Sequence, residues 1–292
     1  MILPGYLEGA IDLHVHSSPD IDTRRYDDID LAREAARCGM AAILIKSHHG
    51  STVERAYLVS RMMSDIRVYG GIVLNEPVGG MNPAAVKVAL QLGAKQIWMP
   101  TRSAANHRRH HGGVGGYSIL NVGGELSPEV EEILELVAAA GCALGTGHLS
   151  PEECFTLVPR ACKAGVRRIL ITHPEWPATH YSVEQQRALT AYAPVIFERC
   201  FVSMTHRCGF VPLTVIERAI ADVGVTTTIL STDLGQPDTP TPAEGLLLYA
   251  NQLRACGFSI DDLRMMMRDN PEKVLKYPDR DLIDATASSS PR

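Results

Sequence analysis

The sequence lacks the short motifs that mark several large enzyme classes. It contains no GxSxG elbow and no P-loop, so serine-hydrolase and nucleotide-hydrolase functions have no support. No GxGxxG turn follows its first strand-like segment, which disfavours a doubly wound open sheet. Its seven cysteines are scattered, without CxxC pairs or Cys–His finger spacing. In a chain of this length they are typical of small core residues in a reduced, cytoplasmic protein.

Long apolar runs and an excess of one charge are also missing. No segment approaches ~18 uninterrupted apolar residues, and the N-terminus has no basic stretch followed by an apolar core. The formal net charge is only −5. We therefore expect neither a membrane span nor a signal peptide nor a nucleic-acid partner, and a small molecule is the expected ligand.

What the sequence does contain is an alternation of short β-branched runs with longer amphipathic stretches. The strand-like segments are 10–16, 41–48, 67–74, 94–99, 143–148, 167–173, 194–201 and 226–233. Helical patterns separate most of them, at 29–38, 53–64, 83–92, 128–140, 151–164 and 212–223, and two more follow at 243–256 and 260–268. Eight such strands predict parallel βαβ units closed into a single-domain α/β (β/α)₈ barrel.

The boundaries of the predicted domain follow from composition. We expect the barrel to span residues 1–283 and the small polar residues 284–292 to form a flexible tail. Residues 101–126 lack periodicity and are rich in Gly, His and Arg, which is typical of a lid or binding loop over the barrel mouth. No heptad or apolar stripe identifies an interface, so a homo-oligomer remains open.

Histidines and one aspartate stand where the predicted strands end. The first strand ends in Asp12-Leu13-His14-Val15-His16, and in a regular strand His14 and His16 point together into the barrel while Leu13 and Val15 point outward. Asp12 shares their parity and is a candidate partner for an imidazole. Three further strands end in the same manner, at His148, His173 and Asp233. Because the carboxyl ends of barrel strands form one rim, these side chains are predicted to share a metal ion.

This set of residues resembles the hallmark of the amidohydrolase superfamily. The resemblance covers HxH on the first strand, one histidine each on the fifth and sixth strands and an aspartate on the eighth. It implies that His14, His16 and Asp233 hold a buried metal, and that His148 and His173 bind a second ion or assist a single one. Asp233 and His173 are then the expected catalytic residues. More narrowly, the chain is similar to amidohydrolase-like proteins whose substrate the resemblance does not supply.

The fourth strand departs from that pattern. Dinuclear members commonly use a carboxylated lysine or a glutamate there, whereas this strand ends in Trp98-Met99-Pro100-Thr101. One ion is therefore the simpler expectation, and two remain open. On the second strand, Lys46 and His48 share parity, so we expect them near the substrate together with Arg102; Lys46 would neutralise an anionic substrate or serve as an unusual carboxylated ligand. Glu198 on the seventh strand is a further candidate for an inward acidic group.

The donor types indicate the chemistry. Imidazole and carboxylate suit Zn²⁺ first and also Mn²⁺, Fe²⁺ or Ni²⁺. We expect a metal-activated water to cleave an amide, ester or lactone bond, with Asp233 accepting the proton. Alternatives are a mononuclear non-oxidative decarboxylase, a phosphoesterase of the PHP type and a catalytically silent metal-binding protein. PHP proteins typically show Asp-x-His near the last strand, and here Asp233 is followed by Leu234-Gly235.

Overall fold

The structure is a computed structural model that describes residues 5–276 of the 292-residue chain. Its central feature is a sheet of eight parallel strands that pair with one another in chain order. The strands are β1 (Ile11–Val15), β2 (Ala42–Ile45), β3 (Arg67–Val73), β4 (Gln96–Trp98), β5 (Ala143–Gly145), β6 (Ile169–Thr172), β7 (Val195–Cys200) and β8 (Thr228–Ser231). Each of them lies within one of the predicted segments.

The sheet closes where β1 meets the chain that follows β8. Val15 forms a parallel bridge with Leu234, and the His16 amide donates to the Leu234 carbonyl over 2.8 Å. The Asp233 amide donates to the His14 carbonyl over 2.7 Å. The predicted (β/α)₈ barrel is thereby confirmed, and its closure joins the two strands that carry the HxH pair and the aspartate.

Helices cover the outside of the barrel and follow the strands in alternation. They are α1 (Asp28–Arg37), α2 (Val53–Met62), α3 (Pro83–Gln91), α4 (Ala105–His110), α5 (Pro128–Ala140), α6 (Pro151–Ala164), α7 (Val183–Leu189), α8 (Leu213–Val223), α9 (Pro242–Ala255), α10 (Ile260–Arg264) and α11 (Asn270–Leu275). A π-helical turn over Met265–Asp269 joins the last two, so the single helix predicted there is divided. Within residues 5–276, no helix combines the length and apolar character needed to cross a bilayer.

The sequence pattern does not predict α4 or α7. Both are short, and α4 reads ANHRRH, which offers no apolar stripe. A helix of six or seven residues is marginal by itself and depends on its tertiary contacts. The predicted tail, residues 284–292, lies outside the described part of the chain.

Cap signals explain why the longer helices begin where they do. The Ser150 side chain accepts from the Glu153 amide while the Glu153 carboxylate accepts from the Ser150 amide, and Pro151 occupies the first turn of α6. This reciprocal box satisfies two amides that the helix leaves unpaired. It also sets the direction of the chain directly after His148, since only Leu149 separates the two residues.

The interior of the barrel is a cluster built almost entirely from strand residues. Ile11, Leu13, Leu44 and Trp98 belong to it, whereas Val15 packs outward with the helices. The expectation that Leu13 points outward is therefore wrong. The pairing of β1 with β2 shifts between Asp12 and Val15, and an irregularity of this kind interrupts the strict alternation of a strand.

The long connection predicted as a lid-like loop contains α4. Asn106 anchors it, because its side-chain amide donates to the carbonyls of His148, over 3.1 Å, and Ala178, over 2.7 Å. A bridge between Ala104 and Tyr117 closes the segment on itself. This connection is therefore tied down at the rim near the end of β5.

Candidate metal centre

The two catalytic candidates at the ends of β6 and β8 adopt an unusual backbone conformation. His173 and Asp233 have φ angles of 52° and 54°, in the left-handed region. Side chains other than glycine rarely occupy this region, and such positions cost about 1–3 kcal/mol and cluster at functional sites. The two side chains come together just beyond the ends of their strands, with His173 Nε2 lying 3.4 Å from Asp233 Oδ2.

The first strand brings its two histidines to the same aspartate. Asp233 Oδ1 lies 2.8 Å from His16 Nε2 and 3.0 Å from His14 Nε2. One donor atom of each of these three residues lies within 4.8 Å of the other two. Two imidazoles and a carboxylate therefore face one point, as the sequence predicted from their strand-end positions.

The chain around Asp233 is held closely against β1. Gly235 has a φ of 137°, and a Cβ there would come within 1.9 Å of the His16 carbonyl, so only glycine fits. Asp12 accepts bonds from the amides of His14 and Thr232, both over 3.1 Å, and from the Thr232 hydroxyl over 2.5 Å. Asp12 thus links β1 to the residue that follows β8. Among the described residues it forms no hydrogen bond to an imidazole ring, contrary to the expectation from the sequence.

His148 stands slightly apart from this group. Its ring lies 5.5 Å from the His173 ring, and its Nδ1 faces His107 Nδ1 of α4 over 2.9 Å. Trp176 packs against both His148 and His173. In residues 5–276, His148 belongs to no set of three metal-donor side chains within mutual reach. The sequence showed that the loop is rich in histidine, but it did not predict this contact between His148 and His107.

Lys46 is buried directly beside the metal-donor group. Its Nζ lies 2.9 Å from His14 Nε2 and 5.5 Å from the centre of a Trp98 ring. Burial lowers the pKa of Lys46, against the opposing effect of the Asp233 carboxylate. An ammonium at this position would repel a cation held by His14, so the lowered pKa of Lys46 favours metal binding there.

The other two predicted substrate-binding residues lie at different depths. His48 is buried, its ring stacks on that of His16 with centroids 5.0 Å apart, and its Nδ1 lies 2.8 Å from the Thr101 hydroxyl. Arg102 is half-exposed and forms an ion pair with Asp22 over 2.7 Å. The structure thus brings His48 to the metal-donor group and leaves Arg102 at the mouth.

Glu198 of β7 is fully buried on the side of the His14 ring that lies opposite to Asp233. Its Oε2 lies 3.4 Å from His14 Nδ1, and Cys200 Sγ lies 3.7 Å from the same nitrogen. Burial by itself would raise the pKa of Glu198, but His14, with smaller effects of His173 and Lys46, outweighs it and the pKa is lowered. The inward acidic group that the seventh strand suggested is therefore present.

The histidines of the site are mostly uncharged near neutral pH. Burial lowers the pKa of His16, His48 and His148 well below the usual value, and lowers that of His173 to about 3. His14 differs: burial lowers its pKa, but the Asp233 and Glu198 carboxylates together outweigh burial and the pKa is raised. Neutral imidazoles offer the lone pairs that a metal ion requires.

These observations fit a divalent cation at the His14, His16 and Asp233 group. Nitrogen donors with one carboxylate are the ligands that zinc and its neighbours prefer. His16 Nδ1 and His173 Nδ1 are also buried and have no hydrogen-bond partner among the described residues, and they lie on the side of each ring that faces away from Asp233. Such orphaned polar atoms call for an ion, a water or a ligand nearby.

A separate group of possible donors, Asp20, Asp22 and His49, lies at the mouth. Arg24 already pairs with both carboxylates, over 3.0 Å to Asp20 and 3.3 Å to Asp22. Arg102 pairs with Asp22 as well, so two guanidiniums neutralise the two aspartates and no cation is needed. We do not place a metal there.

Solved structures with the same fold include proteins described as hydrolases and a decarboxylase. A structure from Pseudomonas putida described as a 2-pyrone-4,6-dicarboxylic acid hydrolase is 15% identical, with a TM-score of 0.60 over 91% of this chain and 97% of that chain. An amidohydrolase from Burkholderia multivorans is 12% identical, with a TM-score of 0.59 over 92% and 99%. A 2,6-dihydroxybenzoate decarboxylase is 13% identical, with a TM-score of 0.52 over 92% and 100%. The resemblance to the amidohydrolase superfamily is thereby confirmed at the level of fold.

Sequence comparison adds a family but no characterised relative. No curated protein matches the chain. The profile of a family of unknown function, DUF6282, matches residues 9–198, a range that includes the HxH pair and Glu198 but ends before Asp233. Since this range covers more than half of the chain, the protein belongs to the DUF6282 family.

Proposed function

We propose that this protein is a metal-dependent hydrolase that cleaves an amide, ester or lactone bond in a small molecule. One observation carries the proposal: His14, His16 and Asp233, from the first and last strands, present donor atoms within 4.8 Å of one another at the carboxyl end of the barrel. In barrels of this type active sites lie at that end.

A divalent cation bound there would polarise a carbonyl group and bring the pKa of a bound water to about 7. The two oxygens of Asp233 then have different tasks. Oδ1 faces His14 and His16, whereas Oδ2 faces His173 and is the atom that accepts the proton of the attacking water.

His173 assists this transfer as a neutral imidazole. With a pKa of about 3 it carries no charge at pH 7, so it can hydrogen-bond to Asp233 Oδ2 without competing for the proton. Its left-handed backbone holds the ring at that oxygen. We propose that Asp233 passes the proton to the leaving group and that His173 orients Asp233 or the substrate oxygen.

Substrate recognition is proposed for the residues between this group and the mouth. His48 lines the site beside His16, and Arg102 at the mouth would bind an anionic group by sharing or exchanging its present partner, Asp22. Lys46 would contribute to the same recognition with its amine nitrogen. The P. putida structure named for a dicarboxylic acid is consistent with an anionic substrate.

Metal content and turnover test the proposal together. Purified protein is loaded separately with Zn²⁺, Mn²⁺, Fe²⁺ and Ni²⁺, and the metal-to-chain ratio is measured by elemental analysis. Lactones, esters and amides are then assayed in pairs that differ only in one carboxylate. We expect at least one bound ion per chain, turnover in the panel, and loss of both in His16→Ala. A chain that binds metal but turns over no substrate would be a metal-binding protein.

A non-oxidative decarboxylase is the second candidate. It is favoured by the end of β4, where Trp98-Met99-Pro100 supplies neither lysine nor glutamate to bridge two ions, and by the decarboxylase among the structures with this fold. The two reactions differ in their products. Release of CO₂ without incorporation of ¹⁸O from labelled water would select decarboxylation, and ¹⁸O in the acid product would select hydrolysis.

A further inference from the structure

The imidazole of His14 lies between two carboxylates, those of Asp233 and Glu198. Its Nε2 faces Asp233 and the metal-donor group, whereas its Nδ1 faces Glu198 Oε2 over 3.4 Å. Both His14 and Glu198 are completely buried. A neutral imidazole has one proton and one lone pair, so the two sides of this ring must divide these roles between them.

Binding a cation through Nε2 requires the lone pair there, which places the proton on Nδ1. A buried N–H without an acceptor is costly, and a carboxylate is the acceptor that most strongly favours this arrangement. Glu198 Oε2 has no other hydrogen-bond partner among residues 5–276, so it is available for the Nδ1 proton.

We propose that Glu198 is a positioning residue of the metal centre, which holds the His14 proton on Nδ1 and so directs the Nε2 lone pair to the cation. The inference rests on the proposed function, because it assumes that His14 is a ligand. In this role Glu198 acts on the cation through His14 and not by direct contact.

The carboxylate of Glu198 is held in place by the neighbouring strand. β7 pairs with β8 so that Cys200 lies opposite Ser231, and the Ser231 hydroxyl donates to Glu198 Oε1 over 3.2 Å. This bond occupies one oxygen and leaves the other turned towards His14. A rotation of the carboxylate would cost the bond to Ser231.

Two other groups near His14 are weaker candidates for this role. Cys200 Sγ lies 3.7 Å from Nδ1, but a neutral thiol is a weak acceptor, and burial raises the pKa of Cys200 well above its usual value. Asp12 has both oxygens engaged by the backbone and the hydroxyl of Thr232. Glu198 is therefore the only carboxylate in the described chain whose contacts reach His14 Nδ1.

The test compares Glu198→Gln with two matched variants. Glutamine keeps the size of the side chain, but its amide can donate to Nδ1 and draw the His14 proton to Nε2. Glu175→Gln makes the same change at another buried carboxylate, which pairs with Arg199 away from His14. Cys200→Ala removes the second neighbour of Nδ1. The dissociation constant for Zn²⁺ is measured for each by competition with a chromophoric chelator.

We expect Glu198→Gln to weaken Zn²⁺ binding by about 10- to 100-fold, the usual cost of losing such a partner. Folded Glu175→Gln and Cys200→Ala should keep the affinity of the native protein within about threefold. In zinc-loaded, ¹⁵N-histidine-labelled native protein, the His14 Nδ1 proton should give a resonance protected from solvent exchange. Ser231→Ala, which frees the carboxylate without removing it, should expose that proton to faster exchange.

The inference is overturned if Glu198→Gln binds Zn²⁺ as tightly as the native protein, or if Glu175→Gln loses affinity equally. Should Glu198→Gln fail to fold, the ¹⁵N spectra of the native protein and of Ser231→Ala decide, and a zinc-loaded His14 without an Nδ1 proton refutes the role. Failure of the proposed function is distinct: native protein that binds no Zn²⁺ at this group refutes the metal centre itself, whereas native protein that binds Zn²⁺ but turns over no substrate refutes only the hydrolase.

Discussion

Replacing Asp233 with asparagine removes the one carboxylate of the metal-donor group while keeping its shape. Its Oδ1 lies 2.8 Å from His16 Nε2 and 3.0 Å from His14 Nε2, so a cation shared by the three would lie within a few ångströms of the negative charge. Two unit charges about 3 Å apart interact by roughly 5 kcal/mol at an effective dielectric constant of about 20. Asparagine retains an amide oxygen, and we expect about half of that energy, roughly 2.7 kcal/mol or 100-fold in affinity, to be lost.

The thermal stability of the protein reports this loss without a substrate. At a Zn²⁺ concentration about 100 times the native dissociation constant, native protein gains about 2.7 kcal/mol, whereas a variant that binds 100-fold more weakly gains about 0.4 kcal/mol. At roughly 2–4 °C per kcal/mol, the zinc-dependent rise in Tm is about 5–10 °C for native protein and about 1 °C for Asp233→Asn. Activity should be lost as well, while the fold remains.

Each variant is compared with its own metal-free Tm, because removal of a carboxylate among histidines also changes the stability of the metal-free chain. Asp238→Asn is the control: it makes the same change on the loop after β8, at a residue that pairs with Arg207 and His206. Its zinc-dependent rise should equal that of native protein. An Asp233→Asn protein that keeps the full rise would refute the assignment of Asp233 as a ligand.

Three further predictions concern the frame of the site. Glu175→Gln leaves the buried Arg199 without its carboxylate partner. We expect this change to lower the free energy of unfolding by about 3–5 kcal/mol in urea titrations, and a loss below about 1 kcal/mol would contradict the pairing. Gly235→Ala places a Cβ within 1.9 Å of the His16 carbonyl at a φ of 137°. It should lower the free energy of unfolding by about 2 kcal/mol or more and abolish the zinc-dependent rise in Tm, and unchanged thermal scans would disprove this. Hydrogen bonds from Arg207, and to a lesser extent from His206, lower the pKa of Asp238 to about 2. The contribution of the Asp238 carboxylate to stability is therefore complete above about pH 4 and is lost as the pH falls towards 2. NMR titration of the Asp238 carboxyl carbon should show this value rising in Arg207→Gln.

Much of the barrel and of the candidate site follows from local patterns. Each strand is a run of β-branched and apolar residues that must be buried, and each of the longer helices has an apolar stripe and cap residues such as Ser150 and Glu153. In a parallel barrel all strands end on one rim, so the order of the chain alone predicts that His14, His16, His148, His173 and Asp233 meet there.

Other features depend on contacts between residues distant in the chain, which no local pattern records. The inward position of Leu13 follows from the irregular pairing of β1 with β2, and α4 exists because Asn106 bonds to carbonyls 42 and 72 residues away. The charge state of each imidazole depends on how deeply the finished fold buries it and on which carboxylate it faces.

The sequence by itself thus determined the architecture and the set of residues at the rim, because burial periodicity and strand order are local properties of the chain. Only the tertiary structure decided which of these residues touch. It placed Glu198 behind His14, Lys46 beside it and His148 against His107, because closure of the barrel sets the distances between side chains that the sequence leaves far apart.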